Sequence, residues 1–353
     1  METVIRRSMN AHYEVTIGIP VYRSVQYIED AFKSALNQTF PNIEFLIVDD
    51  CGSDGSMDII ANYKNNHPRG KDIRIIANEM NRGVSYCRNR IIDEAMGKYL
   101  YFMDSDDTIE PDTIQLLFDS LTRNHAQIAY GSYEIIDGIN HSSPEIYQKE
   151  ALVLNGQDEL AMYAFKNNHV FHVTTCNHLV DMEFLRQSKL KFINASYWED
   201  LVYTTEMVIK VERAVLLPNI TYHYLRRPGS LSHYHSRDVY EKEELEKNIS
   251  ILKYIKGKCV ELKGKEYVSY LCYNMEMICF YTACTIIRNA HHIAPSFSSV
   301  EIRDVLRHPM PLLDIVRFRQ RKLSNLVFWL LGVSPILVFK PLIWTIGKLK
   351  RVL

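Results

Sequence analysis

An α/β fold, with a mostly parallel central sheet flanked by helices and a helical C-terminal extension, is what this chain of 353 residues predicts. Two observations carry the prediction. Over the first 130 residues short apolar strand patterns alternate with amphipathic helix patterns, which implies a parallel sheet covered on both faces. Two acidic clusters also stand at the predicted carboxyl ends of strands, where such sheets bind their ligands.

The elements follow in order. Val15 to Pro20 reads as the first strand, and Val25, Ile28, Phe32, Ala35 and Leu36 form the apolar stripe of a helix. Phe45 to Val48 is a second strand ending in two aspartates, followed by a short helix from Ser56 to Tyr63 behind Gly55. Asp72 to Ile76 is a third strand. Val84, Cys87, Ile91 and Ala95 mark a helix face stopped by Gly97. The fourth strand, Tyr99 to Met103, runs into Asp104, Ser105, Asp106 and Asp107. Pro111 then opens a helix with Ile114, Leu117, Phe118 and Leu121 on one side, and Gln127 to Tyr130 is a fifth strand.

Beyond residue 130 the periodicities mix. Residues 1–235 are expected to form one domain, with 14–130 as its nucleotide-binding half and 131–235 as its acceptor-side half, followed by a helical extension over 236–322. The apolar surplus of 240–291 exceeds what one short helix needs, so a homodimer through this region is a further expectation. Residues 323–353 differ in kind: NLVFWLLGVSPILVFKPLIWTIGK is strongly apolar, with Arg317, Arg319, Arg321 and Lys322 before it and Lys348, Lys350 and Arg351 at its end. Pro335, Lys340 and Pro341 interrupt a clean span of about 20 apolar residues. Basic flanks and tryptophans suit an interfacial or re-entrant membrane anchor; a true span, or packing on the chain's own body or a partner, are the alternatives.

Charged residues make up 24% of the chain and the formal net charge is -1, with Lys and Arg dispersed, which argues against a nucleic-acid partner. Seven cysteines form no CxxC pair, consistent with free thiols in a reducing compartment. The opening METVIRRSMNAHYEV has no apolar run of signal-peptide length, so the expected location is cytoplasmic, peripheral or monotopic at the inner face of the cell membrane.

Several groupings can carry chemistry. Asp49 and Asp50 at a strand end can accept hydrogen bonds from a nucleotide, or form a solvated loop. Asp104 and Asp106, two apart, suit Mg²⁺ or Mn²⁺ carrying substrate phosphates. Gly83 lets its loop approach a ligand, and Arg88 can pair with phosphate or an acid. Trp198, Glu199 and Asp200 set carboxylates beside an aromatic platform, or cap a helix. Arg226, Arg227 and His233 lie in a polar stretch that can close over a pyrophosphate. The glycine fingerprint of a dinucleotide site is missing after the first strand, where Pro20, Val21 and Tyr22 stand instead.

Read together, VTIGIPVY (15–22), ALNQTFPNIEFLIVDDCGSDGS (35–56) and NRGVSYCRNRIIDEAMGKYLYFMDSDD (81–107) resemble the family-2 glycosyltransferases of the GT-A fold, which build bacterial polysaccharides and glycolipids. The resemblance implies metal-dependent, inverting transfer of a sugar from a UDP-sugar donor (glucose, galactose or an N-acetylated form) to a saccharide or lipid-linked saccharide. It implies that Pro20 and Tyr22 line the base pocket, Asp50 binds the base, and Arg88 sits by the nucleotide above Gly83. Asp104 would touch ribose or donor sugar, Asp106 would hold the metal with His233 as a further ligand, and Asp200 would be the catalytic base. Arg226 and Arg227 would cover the diphosphate. Arg23 stands where the family often has Asn, and Cys87 where it often has Ala. A nucleotidyltransferase of related fold would bring a glycine- and lysine-rich stretch after the first strand, absent here, and a non-catalytic GT-A scaffold would be expected to lack Asp106 or Asp200.

Overall fold

The computed structural model describes residues 13–140, 142–167, 175–193, 198–227 and 240–349. They divide into two compact units. The first takes residues up to 160 together with 169–194 and 199–228, and the second takes 161–168, 195–198 and 229 onward.

The first unit is built on a mixed sheet. Its strands are β1 (Tyr13–Val21), β2 (Ile43–Asp49), β3 (Ile73–Ala77), β4 (Gly97–Phe102), β5 (Thr108–Ile109), β6 (Ile128–Asp137), β7 (Glu145–Tyr147), β8 (Leu152–Asn155), β9 (His178–Asp181) and β10 (Arg213–Arg226). The order is β3-β2-β1-β4-β9-β6-β10-β5, with β7 on β6 and β8 on β10. β1 pairs in parallel with β2 on one side and β4 on the other, so the topological switch lies between β1 and β4. The parallel half is as the sequence predicts. Among the strands that were not predicted is β9, which runs antiparallel between β4 and β6.

Around the sheet lie α1 (Ile28–Leu36), α2 (Ser56–Asn66), α3 (Val84–Glu94) and α4 (Thr113–Arg123). On α1 the buried residues are Ile28, Ala31, Phe32, Ala35 and Leu36, the spacing of one helix face, while Val25 falls before the helix and is exposed. Glu44, fully buried in β2, accepts from Thr16 Oγ1 (2.6 Å), Met96 N (2.8 Å) and Arg74 Nε (2.8 Å). These partners replace the water an isolated buried carboxylate would miss. α5 (Glu159–Lys166), α6 (Met182–Ser188) and α7 (Glu199–Lys210) complete the helices up to residue 227.

The second unit is helical: α8 (Lys242–Glu261), α9 (Val268–Arg288), α10 (Ser299–Val305), α11 (Leu312–Ile315), α12 (Lys322–Val333) and α13 (Ile336–Leu349). The apolar run over 240–291 is two helices, parted at Gly264 with its φ of +98°. α9 is buried on nearly every side, the mark of a central helix. Its Glu276 pairs with Lys256 at 2.8 Å, and Lys256 Nζ also donates to the Val305 (2.8 Å) and Arg307 (3.0 Å) carbonyls. Asn325 pins α12 by donating to the Ser269 carbonyl (3.0 Å) and accepting from His308 Nε2 (2.9 Å).

Candidate active site

The carboxyl ends of β1 and β2 open on a cavity of about 390 Å³ lined in part by Val21, Arg23, Asp49, Cys51 and Ser53. Three non-glycine residues here adopt left-handed backbone, Arg23 (φ 50°), Cys51 (φ 59°) and Ser53 (φ 53°). Each such residue costs about 1–3 kcal/mol, and conformations of this kind persist where surrounding bonds enforce them, commonly at functional sites. The enforcing bonds are present: Asp54 accepts from Val25 N (2.9 Å) and Ser56 N (3.1 Å), and Cys51 N donates to Asp49 Oδ1 (2.9 Å). Pro20 is partly buried at the end of β1, and Tyr22 just beyond is 41% exposed, with the Arg23 guanidinium carbon 5.2 Å from its ring centre.

Asp50 is only 2% exposed, and both its oxygens are engaged. Oδ1 accepts from Asn78 Nδ2 (2.7 Å) and Arg82 N (2.8 Å), and Oδ2 accepts from Gly83 N (2.9 Å). In this geometry the carboxylate holds the Asn81–Gly83 loop against the end of β2, and Asp49 is the aspartate that reaches the cavity. Gly83 has φ +84° and open space where a Cβ would stand, the backbone expected of a loop that approaches a ligand. Asp50→Ala is expected to cost about 1–3 kcal/mol, from three lost bonds to a charged acceptor, read as a lower midpoint in urea denaturation.

Arg88, on the second turn of α3 and buried, is the hub between the acidic groups. Its Nη1 donates to Glu199 Oε1 and its Nη2 to Asp104 Oδ1, both at 3.0 Å. Its guanidinium carbon lies 5.5 Å from the centre of the Phe192 ring. Burial opposes the Arg88 charge, but Asp104 and Glu199 outweigh it and hold the group firmly protonated. Asp200, next to Glu199 in the first turn of α7, is pushed up to about 8 by burial and by the Glu199 and Asp104 charges, against the pull of Arg88. Residues 88, 104, 199 and 200 come from three separate elements, and the Arg88 fork joins those elements at one place.

Asp106 pairs with Arg227, whose Nε donates to Asp106 Oδ2 at 2.6 Å, and Arg227 lies over the Tyr27 ring at 4.7 Å. Burial and the Asp104 charge raise the Asp106 carboxyl while Arg227 lowers it. Asp107 is buried and also raised, first by burial, then by Asp106 and Asp104. It accepts from Tyr222 Oη (2.6 Å) and Leu225 N (2.8 Å), tying the end of β10 to this loop. Ser24 Oγ and Ser105 Oγ, 2.7 Å apart, join the exit of β1 to that of β4.

Among the described residues no three His, Cys, Asp or Glu side chains gather around one point. The two carboxylates expected to bind Mg²⁺ or Mn²⁺ are each held by an arginine, Asp104 by Arg88 and Asp106 by Arg227. His233 lies outside the described residues. Arg226 is directed elsewhere: its Nη1 pairs with Glu145 on β7 at 3.0 Å, so of the two adjacent arginines only Arg227 reaches the acidic loop. Alternation along a strand sends neighbouring side chains to opposite faces, a signal that would have separated them. Ser24 and Cys176, a buried thiol close enough to feel the Asp104 and Arg88 charges, were not singled out in the sequence.

Residues 16–188 match the family model described as Glycosyl transferase family 2. The chain carries a family-2 glycosyltransferase domain. Its reaction class is transfer of a sugar from a nucleotide-sugar donor to an acceptor. The cholesterol galactosyltransferase of Borreliella burgdorferi is 25% identical over 70% of this chain and 68% of its own length. The putative teichuronic acid biosynthesis glycosyltransferase TuaG of Bacillus subtilis is 32% identical over 35% of this chain and 47% of its own length. The glycosyltransferase fold also matches the crystal structure of S. aureus TarS 1-349 in complex with UDP-GlcNAc, with a TM-score of 0.64, 17% identity and 90% of each chain covered.

Proposed function

We propose that this glycosyltransferase moves glucose, galactose or an N-acetylated form from a UDP-sugar to a hydroxyl of a saccharide or lipid-linked saccharide, with inversion, in polysaccharide or glycolipid synthesis. The observation that carries the reading is the Arg88 fork, which ties Asp104 to the Glu199–Asp200 pair and so sets donor-side and acceptor-side carboxylates at one crevice. Similarity to a protein solved with UDP-GlcNAc and to a galactosyltransferase supports the donor class.

In this reading the base and ribose occupy the mouth of β1 and β2, where Tyr22 stacks and Asp49 accepts. Asp104 and Asp106 would hold Mg²⁺ or Mn²⁺, which would supply charge stabilisation for the departing diphosphate. Arg227 exchanges its Asp106 contact for a diphosphate oxygen. Asp200 takes the proton of the acceptor hydroxyl as that oxygen attacks the anomeric carbon, the bond to the diphosphate breaking on the opposite face. A carboxylate raised to about 8 is a stronger base than an ordinary aspartate and suits that proton.

Calorimetry of UDP-sugars with and without Mn²⁺ tests the donor assignment. The expected result is binding of one UDP-sugar that strengthens with Mn²⁺ in the native chain and not in Asp106→Ala. A metal response unchanged by Asp106→Ala would remove Asp106 from the metal site, and no binding across the panel would remove UDP-sugars as donors.

A further inference from the structure

We infer that the outer face of α11, α12 and α13 is a docking surface for an anionic lipid bilayer. Ten of the 24 large apolar side chains that are exposed among the described residues fall within 312–344. Single exposed apolar residues are ordinary, but a concentration of this kind marks an interaction surface. α12 buries Asn325, Phe328 and Leu331 against its own unit and turns a second apolar stripe outward through Leu323, Val327 and Leu330. α13 does the same, burying Phe339 and Ile343 while Leu337 and Trp344 face out; Leu323 is 77% and Leu337 90% exposed. The outward face of each helix mixes these apolar side chains with lysines, Lys322 on α12 and Lys340 and Lys348 on α13.

Charge selects the occupant. After Asp314 the sequence holds eight Lys and Arg and no Asp or Glu; with a net charge of -1 for the chain, the preceding residues sum to -9 (-1 minus +8). Arg317, Arg319, Lys322, Lys340 and Lys348 are all exposed beside the apolar stripes. A second copy docking isologously would set this cationic face against itself, whereas an anionic bilayer complements it. No helix among the described residues is long and apolar enough to cross a membrane, and Ser334 and Pro335 separate α12 from α13. The pair therefore lies along the interface, apolar stripes toward the acyl boundary and cations at the headgroups.

The inference rests on the second unit's own surface and not on the sugar-transfer reading. Its test is flotation of the full chain with phosphatidylcholine vesicles, with and without phosphatidylglycerol. Binding is expected to require phosphatidylglycerol and to weaken with salt. Lys322→Glu with Lys340→Glu is expected to weaken it at least about tenfold, since each cation near such a surface is worth about fivefold. Leu330→Glu with Trp344→Glu is expected to weaken it comparably. All four positions are exposed, so unchanged thermal melting and circular dichroism accompany the loss. Failure to bind either vesicle, binding indifferent to both double variants, or a dimer dissociated by Leu330→Glu in a chain that ignores vesicles would each overturn the inference.

Discussion

Asp200→Asn is expected to lower kcat by about 10²- to 10⁴-fold, the contribution of a positioned general base, while donor affinity stays near that of the native chain. The native pH profile should carry the same signature. A general base acts in its ionised form, so with the Asp200 carboxyl at about 8 the rate rises with pH below that value and levels above it. In Asp200→Asn the limb disappears. Stability runs the other way. The folded carboxyl titrates above its unfolded value, so its favourable protonated state is complete below the unfolded pKa, and stability is lost as pH rises through about 8. The asparagine variant should therefore melt at or above the native temperature under alkaline conditions. Slow turnover together with alkaline stabilisation is the expected pair; a native pH profile in the variant, or a large loss of donor binding, would remove Asp200 from the role of base.

Arg88→Met is expected to cost about 3–5 kcal/mol, the penalty for removing one partner of a buried ion pair and leaving the others uncompensated. Both Glu199 and Asp104 lose their counter-charge at once. Urea denaturation measures the loss, and a change below about 1 kcal/mol would show that Glu199 finds other partners. Should Arg88→Met fail to fold, Arg88→Lys keeps the charge and loses the planar fork, so one ammonium must serve two carboxylates that two guanidinium nitrogens now hold. Glu199→Gln relieves the same crowding from the other side, and because the Glu199 charge raises Asp200, the rate limb should move to lower pH.

The two halves of the sheet differ in how readily the sequence discloses them. From β1 to α4 the elements other than β5 are written in local periodicity, whereas the two residues of β5 pair with Tyr222 and His223 of the distant β10. The later sheet depends on distant pairings: β9 has four residues, and β6 meets β10 about ninety residues downstream, with register shifts near Ile220. No window of a dozen residues contains that information. The acidic residues of the site were visible because strand ends gather them. Their grouping was not, since Arg88 and Glu199 stand 111 positions apart. The burial of Asp50 also escaped notice, because nothing in two adjacent aspartates says which faces inward. In the tail, composition announced the apolar surplus, while the division of each helix into a packed and an outward stripe required the structure.

The antiparallel insertion of β9 bears on how the chain is made. β4 carries the acidic loop at its end, yet its second neighbour is synthesised some eighty residues later, and β6 waits longer still for β10. A ribosome that has released the first 130 residues has released a sheet whose last strand is open along one edge, offering Tyr99, Leu100 and Tyr101 to any strand that passes. Within the first unit the proposed active-site crevice is thus among the last parts to close, completed only when β10 has emerged and settled beside β6.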